Sequence, residues 1–151
     1  MATKNASSEF RILSLSGGGY LGLYTAVVLA DLEARVGEPL GRRFDLIAGT
    51  SVGGLLGLAL AYEVPMAQIV KLFVEKGEDI FSARKLPSGA VTRLLDLTRS
   101  VLGPKYTGDT LRHELTRHLG ERKLGDAMHA VVIPAVDVSR CATKVFKTPH
   151  A

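Results

Sequence analysis

Two glycine-rich turns, each set directly behind a short apolar run, constrain this chain more than any other feature. Arg11 to Ser16 (RILSLS) alternates and is rich in leucine and isoleucine, which predicts a strand. Gly17-Gly18-Gly19 follows at once. Leu23 to Val36 then carries apolar residues at helical spacing, and Gly37 and Pro39 end that helix. The pattern repeats. Phe44 to Ala48 (FDLIA) predicts a second, buried strand. Gly49-Thr50-Ser51-Val52-Gly53-Gly54 is the second turn, and Leu55 to Tyr62 is a nearly all-apolar helix suited to the core. Strand, turn and helix, twice over, predict an α/β fold with a parallel sheet. Such sheets place their ligands beyond the carboxyl ends of the strands, where both turns fall.

The rest of the chain is less regular. Pro65 marks a helix start, with the helix running to about Lys76. Within residues 82–107, Val91, Leu94, Leu95, Val101 and Leu102 suit one apolar helix face. That face either packs on the domain or forms a lipid-facing lid. Asp109 is placed to cap a helix from Thr110 to Leu119, stopped by Gly120. Ala130 to Val138 and Thr143 to Lys147 predict later strands. The 151 residues suit one domain, with no repeat and no low-complexity linker.

Composition narrows the class. Cys141 is the single cysteine, which excludes an internal disulfide and fits a reducing compartment; it reads as a buried or inert thiol. The polar start, Met1 to Glu9, lacks the apolar core of a secretory signal, and no stretch suits a membrane span. These features predict a cytoplasmic protein, peripheral at a membrane if it acts on lipid. Residues 1–83 hold seven Lys/Arg against nine Asp/Glu, and residues 84–151 hold twelve against six. The basic half reads first as a mixed solvated surface, and second as a face for anionic partners such as phospholipid headgroups or nucleic acid. Its charges are scattered and not interleaved with aromatics, so no nucleic-acid partner is expected.

The second turn, Gly49-Thr50-Ser51-Val52-Gly53, fits G-x-S-x-G. A serine on a sharp strand-to-helix turn projects its hydroxyl above the sheet, and only glycine fits two positions to either side. The following helix aims its N-terminus at the site, and the N–H of Val52 is placed to donate to an oxyanion. Gly17, Gly18 and Gly19 add further unobstructed N–H groups. One turn would supply the nucleophile, Ser51, and the other the donors. A rival reading exists. Gly17-x-Gly19-x-x-Gly22 also matches the dinucleotide fingerprint, in which an acidic residue ends the second strand. Asp45 has about the right spacing but starts its strand. This alternative is a non-catalytic nucleotide- or anion-binding module.

Together, RILSLSGGGYLGLYTAVVLADLE and FDLIAGTSVGGLLGLALA resemble the glycine-rich loop and nucleophile elbow of the patatin-like phospholipase family. IFSARKL and VFKTPHA resemble it more weakly. The first stretch also resembles bacterial patatin-like effectors of anti-phage defence, which are phospholipases switched on by cyclic nucleotides. The resemblance implies a three-layer α/β/α hydrolase acting on phospholipid at a membrane surface. It implies a Ser-Asp dyad, an acyl-enzyme on Ser51, an oxyanion hole from Gly17, Gly18 and Gly19, and no metal or organic cofactor. Two departures stand out. Leu21 occupies a loop position where the family usually has Arg or Lys. The family's aspartate lies in an Asp-Gly-Gly or Asp-Gly-Ala motif, and this sequence has no Asp-Gly pair. Residues 1–151 are therefore expected to be the N-terminal part of the domain, with the catalytic aspartate beyond Ala151. Within the chain, Asp137 is the substitute base, alone or in the order Ser51, Asp137, His150. Its other reading is a strand-end turn residue. His113, His118 and His129 read as surface or core histidines.

Overall fold

The computed structural model describes residues 9–81 and 108–149. The apolar helix face expected within 82–107 and His150 lie outside them. In chain order the elements are β1 (Ile12–Leu15), α1 (Gly22–Val36), β2 (Leu46–Gly49), α2 (Val52–Ala61), α3 (Met66–Phe81), α4 (Gly108–Leu119), β3 (Val131–Asp137) and β4 (Ala142–Lys147). The sheet order is β1-β2-β3-β4. The first three strands are parallel, with Leu15 beside Gly49 and Ile47 beside Val131. β4 returns antiparallel to β3, so the sheet is parallel except at that edge.

Alternation along the strands sorts the two faces. Leu15, Ile47 and Val131 point to the buried side, where they meet α2. α2 touches β1, β2 and β3, while α1 and α3 pack against each other and against α2. Ile12 and Val136 lie on the opposite face and are exposed. The described helices thus form one layer, and the second helical layer of the expected three is not among the described residues.

α2 explains how the core closes. Its sequence, VGGLLGLALA, contains three glycines that cost helix propensity, about 1 kcal/mol each relative to alanine. They also let the helix lie directly on the sheet. A Cβ at Gly54 would meet the Ile133 side chain at 3.0 Å, and one at Gly57 would meet Ile47 at 3.2 Å. Leu56 and Leu60 are almost fully buried. Close packing therefore outweighs weak propensity. The helix also begins at Val52, three residues before the apolar run that marks it in the sequence.

Three carboxylates tie the loops to this frame. Asp45 Oδ2 accepts the Arg11 N–H at 2.7 Å, fixing the entry to β1 beside the entry to β2. Glu33, on α1, accepts the N–H groups of Leu40 at 3.1 Å and Met66 at 2.7 Å, and so caps the start of α3. Glu63 follows the end of α2 in the left-handed region, at φ 54°. Its N–H bonds to the Leu60 carbonyl and that of Val64 to the Ala59 carbonyl, a Schellman ending in which glycine is usual. The strained glutamate is held by its own side chain. Arg42 donates to both carboxylate oxygens at 2.7 and 2.8 Å, and His129 Nε2 lies 3.0 Å from one of them. His129 is thus a structural histidine.

The Arg42 hydrogen bond, helped by His129 and opposed by burial, holds the Glu63 carboxyl down from 4.5 to about 2. The folded-state value lies below the unfolded one. The stabilisation is therefore complete above pH 4.5 and is lost as pH falls through about 2. Urea unfolding should show the native chain more stable than Glu63→Gln above pH 4.5, with the gap closing toward pH 2. A gap independent of pH would show that the carboxylate charge contributes nothing.

Candidate active site

The site forms where β1 and β2 end side by side. Thr50 leaves β2 with its N–H on the Leu15 carbonyl at 3.1 Å, which pins the second turn to the first strand. Ser51 comes next, exposed, at φ 53° and ψ −126°. A non-glycine residue in such a region costs on the order of 1–3 kcal/mol and persists only where its surroundings enforce it. Here α2 starts at once: the Ser51 carbonyl accepts the N–H groups of Gly54 at 2.9 Å and Leu55 at 3.2 Å. The serine side chain therefore stands at the mouth of the helix. As the first helical residue, Val52 has an N–H with no carbonyl behind it to accept it.

The glycines at either side of Ser51 are fixed by space. A Cβ at Gly49 would lie 2.2 Å from the Gly53 carbonyl oxygen, and one at Gly53 would lie 2.3 Å from that of Leu15. No side chain is tolerated at either point, because the opposing atoms are backbone.

The first turn lies against the second. A Cβ at Gly17 would meet the Ser51 Cβ at 2.9 Å and the Thr50 carbonyl oxygen at 3.0 Å. Thr50 Oγ1 accepts the Gly17 N–H at 3.1 Å. Sequence reasoning passed over Thr50, an unspecified position of G-x-S-x-G. Its one signal was a hydroxyl beside the serine. The same bond occupies the Gly17 N–H, one of the three donors expected of this loop. Gly18 and Gly19 stand where the loop enters a short 3-10 turn, Gly19–Leu21, so their N–H groups have no carbonyl one turn behind. Gly19 has φ 58°, which suits glycine. Gly22 brings α1 against Val52 and Phe73. Leu21, at the position of the family's cation, is 77% exposed.

Other candidates lie elsewhere. Asp45 precedes β2, at the opposite end of the strand from Gly17–Gly22, and its carboxylate is engaged by Arg11. That placement removes the acidic partner of the dinucleotide reading. Asp137 ends β3 four residues beyond Ile133, the residue level with Gly49, or roughly 13 Å farther along the strand. Its Oδ1 accepts the N–H groups of Ser139 at 3.1 Å and Arg140 at 3.2 Å. Asp137 is the turn residue of the β3–β4 hairpin. Cys141, read from the sequence as a buried or inert thiol, is exposed in that hairpin at φ 48°. His118 lies 3.9 Å from Glu114, and His113 is exposed. Among the described residues no group of three or more His, Cys, Asp or Glu could hold a metal ion, and no helix is long and apolar enough to cross a membrane.

Two substitutions test this geometry. Gly53→Ala should lower stability by about 3 kcal/mol or more, because backbone must move to admit the methyl. Thr50→Val keeps the shape and removes the acceptor. Its expected effect is faster hydrogen exchange at the Gly17 amide, with protection in the α2 core retained. Unchanged exchange at Gly17 would mean that Thr50 does not hold the loop.

Comparison with known proteins shows the family. A family model described as patatin-like phospholipase matches residues 13–150. The chain is 45% identical over 141 residues to a cGAMP-activated phospholipase of Pseudomonas aeruginosa, covering 93% of this chain and 40% of that protein. It is 35% identical over 148 residues to a cGAMP-activated phospholipase of Escherichia coli, covering 93% and 40%. It is also 35% identical over 157 residues to patatin-like protein 1 of Arabidopsis thaliana, covering 95% and 37%. The chain thus spans about two fifths of the length of these relatives. Both glycine-rich turns fall inside the matched residues, and the chain belongs to the patatin-like phospholipase family.

Proposed function

We propose that the protein carrying this chain is a serine lipid acyl hydrolase that cleaves phospholipid esters at a membrane surface, with Ser51 as nucleophile. The observation that carries this reading is the enforced, exposed conformation of Ser51 at the start of α2, with the Gly17 backbone packed against it. The names of the relatives, phospholipases among them, supply the reaction class.

The Ser51 hydroxyl adds to the ester carbonyl carbon as its proton passes to a base. The carbonyl oxygen gains negative charge and faces the N–H groups of Gly18, Gly19 and Val52, with the N-terminus of α2 behind them. Collapse breaks the ester bond, expels the protonated lysolipid alcohol and leaves an acyl-enzyme. Water, deprotonated by the same base, then releases the fatty acid and restores Ser51. The base of a Ser-Asp dyad is the aspartate that the family carries in an Asp-Gly motif, a pair this sequence lacks. No step needs a metal or an organic cofactor.

The cGAMP-activated relatives support a cyclic nucleotide as the activating signal and antiviral defence as the setting. The reading places the protein in the cytoplasm and peripherally at the membrane.

In the full-length protein, Ser51→Ala should reduce fatty-acid release from phospholipid vesicles by roughly four to six orders of magnitude, with the fold intact by circular dichroism. A fluorophosphonate probe should label the native protein at Ser51. Fatty-acid release that survives the substitution would overturn the assignment.

A further inference from the structure

Ser51 begins a helix whose next turns are lined with apolar side chains. Leu55 lies one turn beyond the serine, and Ala59 one turn beyond Leu55. Both face a cavity of about 40 Å³ enclosed by α2, α3 and α4. Ile69 and Phe73 of α3 and Leu115 of α4 form other parts of its wall, which is almost wholly apolar. Two polar side chains, Glu114 and His118, stand among the described lining residues, and Glu114 lies 3.9 Å from both Arg117 Nη1 and His118 Nε2. The rest of the wall is leucine, isoleucine, phenylalanine and alanine. Such a space takes an apolar occupant.

We propose that this cavity receives the end of the acyl chain of the ester held at Ser51, and so sets the chain-length preference of the enzyme. The inference rests on the reading of Ser51 as nucleophile. The occupant is chosen by continuity along α2. An acyl group attached to the serine has its carbonyl at the helix N-terminus, and Leu55, on the same face of α2 one turn on, is the first cavity-lining side chain along the helix. Ala59 lies roughly 12 Å along the helix axis from Ser51. A short acyl group ends beside Leu55, while a long one reaches Ala59. Each methylene that becomes buried should raise kcat/KM by about fourfold. The cavity volume suits the last carbons of a chain only, so the preference should have an upper limit.

The experiment uses the full-length protein and a series of p-nitrophenyl esters from butyrate to palmitate. Ala59→Val narrows the cavity and Leu115→Ala widens it. The expected result is a laurate-to-butyrate ratio of kcat/KM at least tenfold lower in Ala59→Val, and an optimum shifted to longer chains in Leu115→Ala. An unchanged profile in both variants, with hydrolysis still abolished by Ser51→Ala, would overturn the cavity assignment and leave the nucleophile standing. A parallel loss at every chain length would show general damage to packing and also overturn it. Hydrolysis of no ester in a Ser51-dependent way would remove the nucleophile reading and this inference with it.

Discussion

The close approach of α2 to the ends of β1 and β2 is the constraint on which the rest depends. Gly53 lies directly against the Leu15 carbonyl, and Gly49 directly against that of Gly53. At these separations the chain has room for backbone and nothing else. The turn between the two glycines must therefore be tight, and Ser51 must take a backbone conformation that a free peptide avoids. The strain is offset by burial. The same approach seats Leu56 and Leu60 in the core and brings Gly57 onto Ile47. Position of the serine and stability of the core are two consequences of one contact. A change that loosens the core at α2 also frees the serine from the conformation that exposes it.

A second set of interactions keeps that contact from being pulled apart. The far end of α2 closes at Glu63, another non-glycine residue at positive φ, held there by Arg42 and His129. α2 is thus bounded by strained residues at both ends, and each is held by a partner distant in sequence. Leu15 anchors one through Thr50, and Arg42 anchors the other. Glu33 extends the same logic to α1 and α3 by occupying two backbone donors with a single carboxylate.

This distribution explains what the sequence made legible. Strands and turns could be read because their signals are local: RILSLS, FDLIA and the glycines carry their own periodicity and steric meaning. The start of α2 was misplaced because Val52, Gly53 and Gly54 look like turn residues until a sheet lies against them. β2 starts at Leu46, later than FDLIA suggests, because Asp45 turns to the Arg11 amide. The Glu63 cluster had no local signal at all, since Arg42 is 21 positions away and His129 is 66. The tight turn at Ser51 was legible from its motif. Thr50 was not, because the motif specifies the space around the serine and says nothing of what fastens the first turn to the second. Cys141 and Asp137 were ambiguous for the same reason. Exposure in a hairpin depends on how far β3 runs beyond its neighbour, and that length is set by pairing with β4.

Leu21 shows how much of the proposed chemistry must come from backbone. Where the family usually has a cation, this chain exposes an apolar side chain. Among the described residues, the proposed stabilisation at Ser51 rests on oriented peptide dipoles: the N–H groups of Gly18, Gly19 and Val52, and the start of α2. Such a field is strong only within the first turn of a helix and is weakened by water. A lipid chain along the apolar face of α2 would exclude water from that region and strengthen those dipoles where charge develops. On this reading the apolar side chains beyond Ser51 and the backbone donors before it are complementary. The first bring in the substrate and dry the site. The second, in that drier surrounding, supply the stabilisation that a side-chain cation would otherwise give.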